Sequence, residues 1–407
     1  MNIWNKRGSF TVFMVMAFAA VLIMVMGVFT AAGVLAIGSV TDAFGRLWGR
    51  SILAEYDLNL KDRYGIFAYY GEAGMVESKL DYYAGKTFQD KKYIVYEGAR
   101  CSLEKYCLLD LDNFRAQIQQ AVLFDSIPEG FPAMEEADAT YGSRFIKNQW
   151  ILQGLPSSSK SEEVAVAGIV NRVKNGELLE SLMGNSAIHT YIFTYFKDHC
   201  DEREMGRTYF QNEVEYIISG KADDEKAWKN VRNKLLVMRN LLNLYYLYTC
   251  PEKREAVMNL ATLLTPGPEA VITQGVLMEG WALAEANNDL KLLQADRQVP
   301  LVKKDENWAL ALENVFSETG EKKMEESEEN GKDYIEPERV EGSSYEEYLR
   351  ILINFLSEET KLLRMMDLIQ INMKYLYCDY FLMEDYYTGL EFSMGVNGAS
   401  HEFEEFY

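Results

Sequence analysis

Histidine is scarce in this chain, with only His189, His199 and His401, and no two of them stand three or four residues apart. A helical pair of metal ligands, or an HExxH zinc motif, is therefore excluded. The five cysteines, Cys101, Cys107, Cys200, Cys250 and Cys378, include no CxxC, so neither a zinc ribbon nor a dithiol redox pair is written here. No GxGxxG, Walker loop or GxSxG appears, which removes the usual signatures of dinucleotide, nucleotide and acyl-transfer sites. Basic charge is also short, with 41 Lys and Arg against 62 Asp and Glu, for a formal charge of −21. A field of that sign repels phosphate backbones, so nucleic acid is not an expected partner. Anionic headgroups are repelled as well, so the soluble part should stand off a bilayer rather than lie on it.

Charge is missing altogether from Ser9 to Thr41. A membrane span needs about 20 apolar residues, so residues 9–41 read as a transmembrane helix held in lipid. Residues 1–8, with Lys6 and Arg7, form a basic leader, which favours a cytoplasmic N-terminus and an extracellular body. The run is too long for the about 7–15 apolar residues of a secretory signal peptide, and Val34-Leu35-Ala36 lies too deep in it to serve as a cleavage site. An uncleaved anchor, or one trimmed only at Gly8, is the reading. As one helix the run would be about 50 Å long against about 30 Å of hydrocarbon. Gly27, Ala31, Gly33 and Gly38 are candidates for close helix packing in the membrane, although small residues are also common in membrane helices for other reasons.

What remains is rich enough in apolar and aromatic residues, at 48% and 13%, to fold around a sizeable core. The expected fold is mainly α, in an α+β arrangement. A long N-terminal transmembrane-plus-stalk helix leads into a small antiparallel sheet near the stalk and a large helical outer part. Phe44, Leu47, Trp48, Ser51, Ala54 and Leu58 extend the helical period, placing a continuous stalk over 42–64. Short strands are expected at 64–70, 92–97 and 101–111, with a turn at Gly98-Ala99. A helix over 113–124 is expected to cover them. The proline- and serine-bearing stretch 125–160 reads as a boundary, dividing a small α+β lobe (65–155) from a mainly helical lobe (156–407).

In the second lobe, helices are expected over 162–183, 205–218 and from Asp223 or Asp224 to Cys250, then from Pro266-Pro268 to about Gln294. The stretch 317–343 is acidic and should be a solvated loop. Ser344-Tyr-Glu-Glu347 is a capping box. The apolar stripe from Tyr348 to Leu376 behind it predicts one long helix. The tail from Tyr377 could return to the sheet as strands.

Candidate chemistry is thin. Asp198-His199-Cys200-Asp201-Glu202 is the one local cluster of ligand-type side chains, and it reads as a polar loop, with a Cys–His nucleophile formally open. Cys101 and Cys107 could form a local disulfide if they face each other across a hairpin; the alternative is five free thiols. The aromatics at Tyr245-Tyr246-Tyr248 and Tyr386-Tyr387 are core residues or the wall of a glycan groove. No catalytic residue, cofactor or metal is assigned.

Several stretches in fixed order carry a resemblance. They are Lys6-Arg7-Gly8-Ser9-Phe10-Thr11-Val12-Phe13, Leu53-Ala-Glu-Tyr56, Tyr64-Gly-Ile-Phe67, Asn212-Glu-Val-Glu-Tyr-Ile217, Val299-Pro-Leu301 before Trp308, Tyr345-Glu-Glu-Tyr-Leu349 and Leu362-Leu-Arg-Met-Met-Asp-Leu-Ile-Gln370. Together they resemble a family of uncharacterised bacterial surface proteins encoded beside tight-adherence (Tad) pilus genes, mainly in Gram-positive bacteria. The N-terminus is also similar to TadE- and TadG-type pseudopilins, over the membrane segment alone. That likeness implies cleavage by a prepilin peptidase between Gly8 and Ser9, and entry of the freed helix into a pilus-like assembly with other pilus or secretion proteins. Phe13 departs from the pattern, since pseudopilins usually carry Glu at that fifth mature position. The resemblance implies no catalytic residues. Alternatives are an anchored adhesin or cell-wall-binding protein, and a surface hydrolase using two carboxylates.

Overall fold

The computed structural model describes residues 4–125, 149–159, 162–184, 186–201, 207–316 and 333–407. It bears out a mainly helical chain with a long apolar N-terminal helix, small antiparallel sheets and a large helical body. The chain divides into two compact units. The first comprises Met1–Lys61, Phe67–Asn113 and Glu384–Tyr407, and the second Asp62–Ile66 and Phe114–Met383. The C-terminal residues that the sequence places in the helical lobe therefore belong with the first unit.

In the first unit, helix α1 (Trp4–Leu53) runs through both the uncharged stretch and most of the expected stalk. It does not continue to residue 64. Asp57 accepts hydrogen bonds from the backbone N–H groups of Asn59 and Leu60, at 2.9 and 3.0 Å, and so starts a separate helix α2 (Leu58–Tyr64). A side-chain acceptor at that position satisfies orphan helix donors and favours a new N-terminus over a continued turn. Gly65, at φ +65°, follows the end of α2, in the left-handed conformation that glycine adopts without strain.

The expected strand at 64–70 shrinks to β1 (Tyr69–Tyr70), and helix α3 (Ala73–Phe88) follows. Gly98 lies inside strand β2 (Tyr96–Ser102) at a bulge, not in a turn between two strands. An extra residue in one strand accounts for the irregular apolar period that suggested two strands. Helix α4 (Leu111–Asp125) is present, and from Phe114 onward it belongs to the second unit.

The tail does return as strands: β3 (Tyr386–Tyr387) pairs with β1, and β4 (Gly389–Val396) with β5 (Ala399–Phe406). The three-stranded sheet has the order β2-β4-β5, antiparallel throughout. Asn397 and Gly398, both at positive φ, form the two-residue turn between β4 and β5. Asn-Gly is the dipeptide such a hairpin favours, because its twist needs φ above zero at both positions. Trp48 and Ile52 of α1, Val76, Leu80, Ala84 and Phe88 of α3, and Leu390, Phe392, Met394 and Phe403 of the hairpin share one core.

The second unit is helical. The sequence's 162–183 helix is two, α5 (Val166–Lys174) and α6 (Leu179–Met183), interrupted at Gly176 with φ +80°. Helix α7 (Ala187–Tyr195) is followed by α8 (Glu213–Ser219), which begins well after the expected residue 205. Asp223 caps α9 (Asp224–Thr249) as expected, by accepting from Lys226 N–H at 2.9 Å. Pro251 sits at the start of α10 (Pro251–Leu264), where proline's missing N–H costs nothing. Helix α11 (Ala270–Gln294) packs back on α9 and α10, and α12 (Leu312–Phe316) ends before the undescribed part of the acidic stretch.

Ser344 and Glu347 make the capping box of α13 (Tyr345–Asn354). The expected long helix breaks behind it. Ser357 accepts from Thr360 N–H and starts α14 (Glu358–Leu376), a second cap inside one apolar stripe. The boundary stretch 125–160 is described only at 149–159, where two short 3-10 turns stand.

Candidate functional site: the N-terminal helix and its seat

Every residue from Phe10 to Ala36 of α1 is exposed, including Phe10, Phe13, Phe18, Ile23, Phe29 and Leu35. That length is about 40 Å of helix, enough to cross the about 30 Å of bilayer hydrocarbon. A bare helix that is apolar all round has no place in water, but it satisfies its own backbone hydrogen bonds in lipid. The Thr30 hydroxyl follows the same economy and donates to the Met26 carbonyl at 2.9 Å.

The helix changes character at Ile37. Thr41, Gly45, Trp48, Gly49 and Ile52 face inward, and the β4–β5 hairpin lies against them. Glycine allows the closest approach. A Cβ at Gly45 would fall in the ring of Phe403, and one at Gly49 would stand 3.0 Å from Glu405 Cγ and 3.2 Å from Phe392 Cε1. Two polar pairs fix the rim: His401 Nδ1 with Asp42 at 2.8 Å, and Arg50 Nε donating to Glu405 at 3.3 Å. One half of α1 is thus committed to its own sheet and the other half is exposed.

The sequence candidates fall on this division. Gly8 and Ser9 lie within the first turns of α1. Gly27, Ala31 and Gly33 are on the exposed half, and the two glycines have nothing within 4 Å. Gly38 lies instead where the sheet begins, with His401 Cε1 at 3.8 Å from a built Cβ. Cys101 and Cys107 are free thiols: Cys101 is on β2 opposite Phe392, and Cys107 bridges to Tyr387. The hairpin that would have joined them is absent because β2 pairs with β4. Burial pushes the Cys101 thiol up to about 12, which keeps it protonated and unreactive.

In the helical unit, the histidine cluster lies in a groove of about 540 Å³ lined by Asp198, His199, Asp201, Asn212, Asp224 and Trp228. The His199 ring stands 5.0 Å from that of Trp228, and its Nδ1 is 3.1 Å from the Asn212 amide oxygen. Among the described residues no three His, Cys, Asp or Glu side chains converge as metal ligands. The Tyr246 and Trp308 rings lie 5.6 Å apart, tilted, beside Lys253, and Trp308 and Lys253 line a groove of about 510 Å³ together with Trp281.

Two buried carboxyls escaped sequence reading, Glu213 and Glu215 on α8. Burial raises both to about 7. Glu213 accepts from Asn372 Nδ2 at 2.6 Å and Lys197 N–H at 3.0 Å. Glu215 accepts from the Tyr345 hydroxyl at 2.7 Å and His199 N–H at 3.0 Å, while its Oε2 has no hydrogen-bond partner among the described residues. Their alternate spacing on a helix would ordinarily put one of them in water. Only the burial of all seven residues of α8 explains otherwise.

A sequence-family model described as a family of unknown function, DUF5702, matches residues 142–398. The chain belongs to this family. The DUF5702 match takes in the described helices from α5 to α14 together with β3 and all of β4, and it begins beyond α1. Comparisons with curated proteins and with solved structures give no match.

Proposed function

We propose that this DUF5702 chain is a membrane-anchored, extracytoplasmic structural component of a Tad-type pilus or secretion system, pseudopilin-like in its N-terminus and without enzymatic activity. The observation that carries the reading is the division of α1. An exposed apolar half can sit in lipid or among other helices, while the seated half holds the hairpin and α3 as a rigid base. Lys6 and Arg7 before the span orient the N-terminus to the cytoplasm and the body outward. The partners would be other pilus proteins and a prepilin peptidase acting between Gly8 and Ser9. The N-terminal mass of the mature chain from membranes tests this directly. A chain starting at Ser9 supports processing as a pseudopilin, and one starting at Met1 leaves only an anchor.

A second reading is an anchored adhesin or cell-wall-binding protein. The Trp228 groove favours it, because an indole beside amide and carboxylate side chains suits a sugar ring with its apolar face and hydroxyl rim. Binding of the purified chain to peptidoglycan, independent of any pilus gene, would select this reading.

A further inference from the structure

Four charged side chains are sealed inside the helical unit: Arg239 on α9, Glu285 and Asp289 on α11, and Lys303 on the segment between α11 and α12. None is more than 3% exposed. Spacing of four residues puts Glu285 and Asp289 on one face of α11, and the Lys303 ammonium enters between them. It touches Glu285 Oε1 and stands 2.5 Å from Asp289 Oδ1. The Trp308 ring, 5.6 Å from Nζ, closes the site, and Trp308 and Trp281 are themselves locked by indole N–H bonds to the Leu310 carbonyl.

The two carboxyls are held differently. Asp289 Oδ2 accepts from Arg239 Nε at 3.0 Å and from Asn243 Nδ2 at 3.0 Å. Its Oδ1 stands 2.5 Å from the ammonium nitrogen but makes no hydrogen bond among the described residues. Burial would raise Asp289, but Lys303 and Arg239 outweigh it and hold the carboxyl below its ordinary range. Glu285 has only neutral donors besides the lysine: Ala309 N–H on Oε1 and Leu310 N–H on Oε2, both at 2.9 Å. Burial raises its pKa.

We propose that Lys303 and Glu285 condense to an intramolecular amide, with Asp289 positioning the amine. Glu285 Oε1, which accepts from the ammonium, takes one of its protons, and the freed amine attacks Glu285 Cδ. The tetrahedral oxyanion on Oε2 is held by Leu310 N–H, in the manner of an oxyanion hole. The new bond is Nζ–Cδ and the broken one is Cδ–Oε1. Oε1 leaves as water with two of the three ammonium protons, the second passed to it directly from Nζ, and the third stays on the amide nitrogen. The ion pair and the amide plus water hold the same atoms and the same charge, so no oxidant or activating group is required.

Position and dryness drive the step. The reacting groups are in contact, which supplies the large effective concentration of an intramolecular reaction. The site excludes the water that would favour hydrolysis. Two opposite charges also disappear from a low-dielectric interior where each is expensive to hold. The product ties α11 to the following segment and leaves Arg239 and Asp289 as one buried pair.

Peptide mass mapping of the full chain, purified from membranes, denatured and digested with trypsin, tests this. The expected result is peptide 298–304 joined to 255–291 and lighter than their sum by one water, with the link fragmenting at Lys303 and Glu285. The two peptides appearing separately at unmodified masses would overturn it, as would a link mapped to Asp289. Lys303→Met should abolish the link. Asp289→Asn should leave most chains unlinked while circular dichroism still shows a folded helical body; complete linkage in that variant would overturn the positioning role of Asp289.

Discussion

Replacing Gly45 with alanine puts the seat of α1 to the test. In a helix this change ordinarily stabilises, by about 1 kcal/mol, because glycine has the greater freedom to lose. At Gly45 there is no room: a Cβ would overlap the Phe403 ring, with Cε2 at 2.7 Å. Phe403 is 7% exposed and stacked on Phe392, ring centroids 4.9 Å apart, so it cannot swing away without giving up that stack. Overpacking of this kind costs about 1–3 kcal/mol. Set against the propensity gain, the net should be a loss of up to about 2 kcal/mol.

Gly85 on α3 is the control, exposed and with nothing within 4 Å of a built Cβ. There the propensity gain should appear unopposed. Thermal unfolding of the full chain in one detergent should therefore show opposite shifts, at about 2–4 °C per kcal/mol. Gly45→Ala lowers the transition and Gly85→Ala raises it. A rise for both would mean that the hairpin does not lie against α1 at residue 45.

Three further outcomes are expected. Glu215 is raised to about 7 from an unfolded value of 4.5, so its stabilising, protonated form is complete below 4.5 and is lost as pH rises through 7. Glu215→Gln should consequently unfold at higher denaturant than the native chain at pH 8 and at nearly the same denaturant at pH 5; equal curves at both would contradict that burial. Arg239→Met takes the guanidinium from the buried Asp289 carboxylate, and loss of one partner of a buried pair costs about 3–5 kcal/mol, readable by urea denaturation. His189, pushed down by burial and by Lys361, with Nζ 3.1 Å from its Nε2, is stabilising while neutral. The stability it contributes is present above pH 6.5 and lost as pH falls through its lower folded value, so His189→Gln should flatten the acid side of the stability profile.

The long apolar helix was legible because its signal is one of composition: no charge between Ser9 and Thr41 admits few structures. Caps were legible for a similar reason, since Asp223 and Ser344 with Glu347 act on their own next turn. Breaks were harder to read. Asp57 and Ser357 each end an apolar stripe by offering a side-chain acceptor, yet the stripe continues on both sides, so period alone joins what the caps divide. The β2–β4 pairing joins residues about three hundred positions apart, which local pattern cannot report. Neither α8 nor the Arg239–Glu285–Asp289–Lys303 cluster had a local signature. Charged residues at helical spacing look like a solvated face until long-range packing encloses them.

Under the proposed function, α1 crosses a membrane and carries the rest of the chain outside. Protease added to intact cells that make the protein tests this, with the products read by antibodies to the body and to the N-terminal helix. The body should be digested while the membrane-embedded part of α1 survives in the cell fraction. A body that stays whole until the membrane is broken, and is then digested, would contradict it.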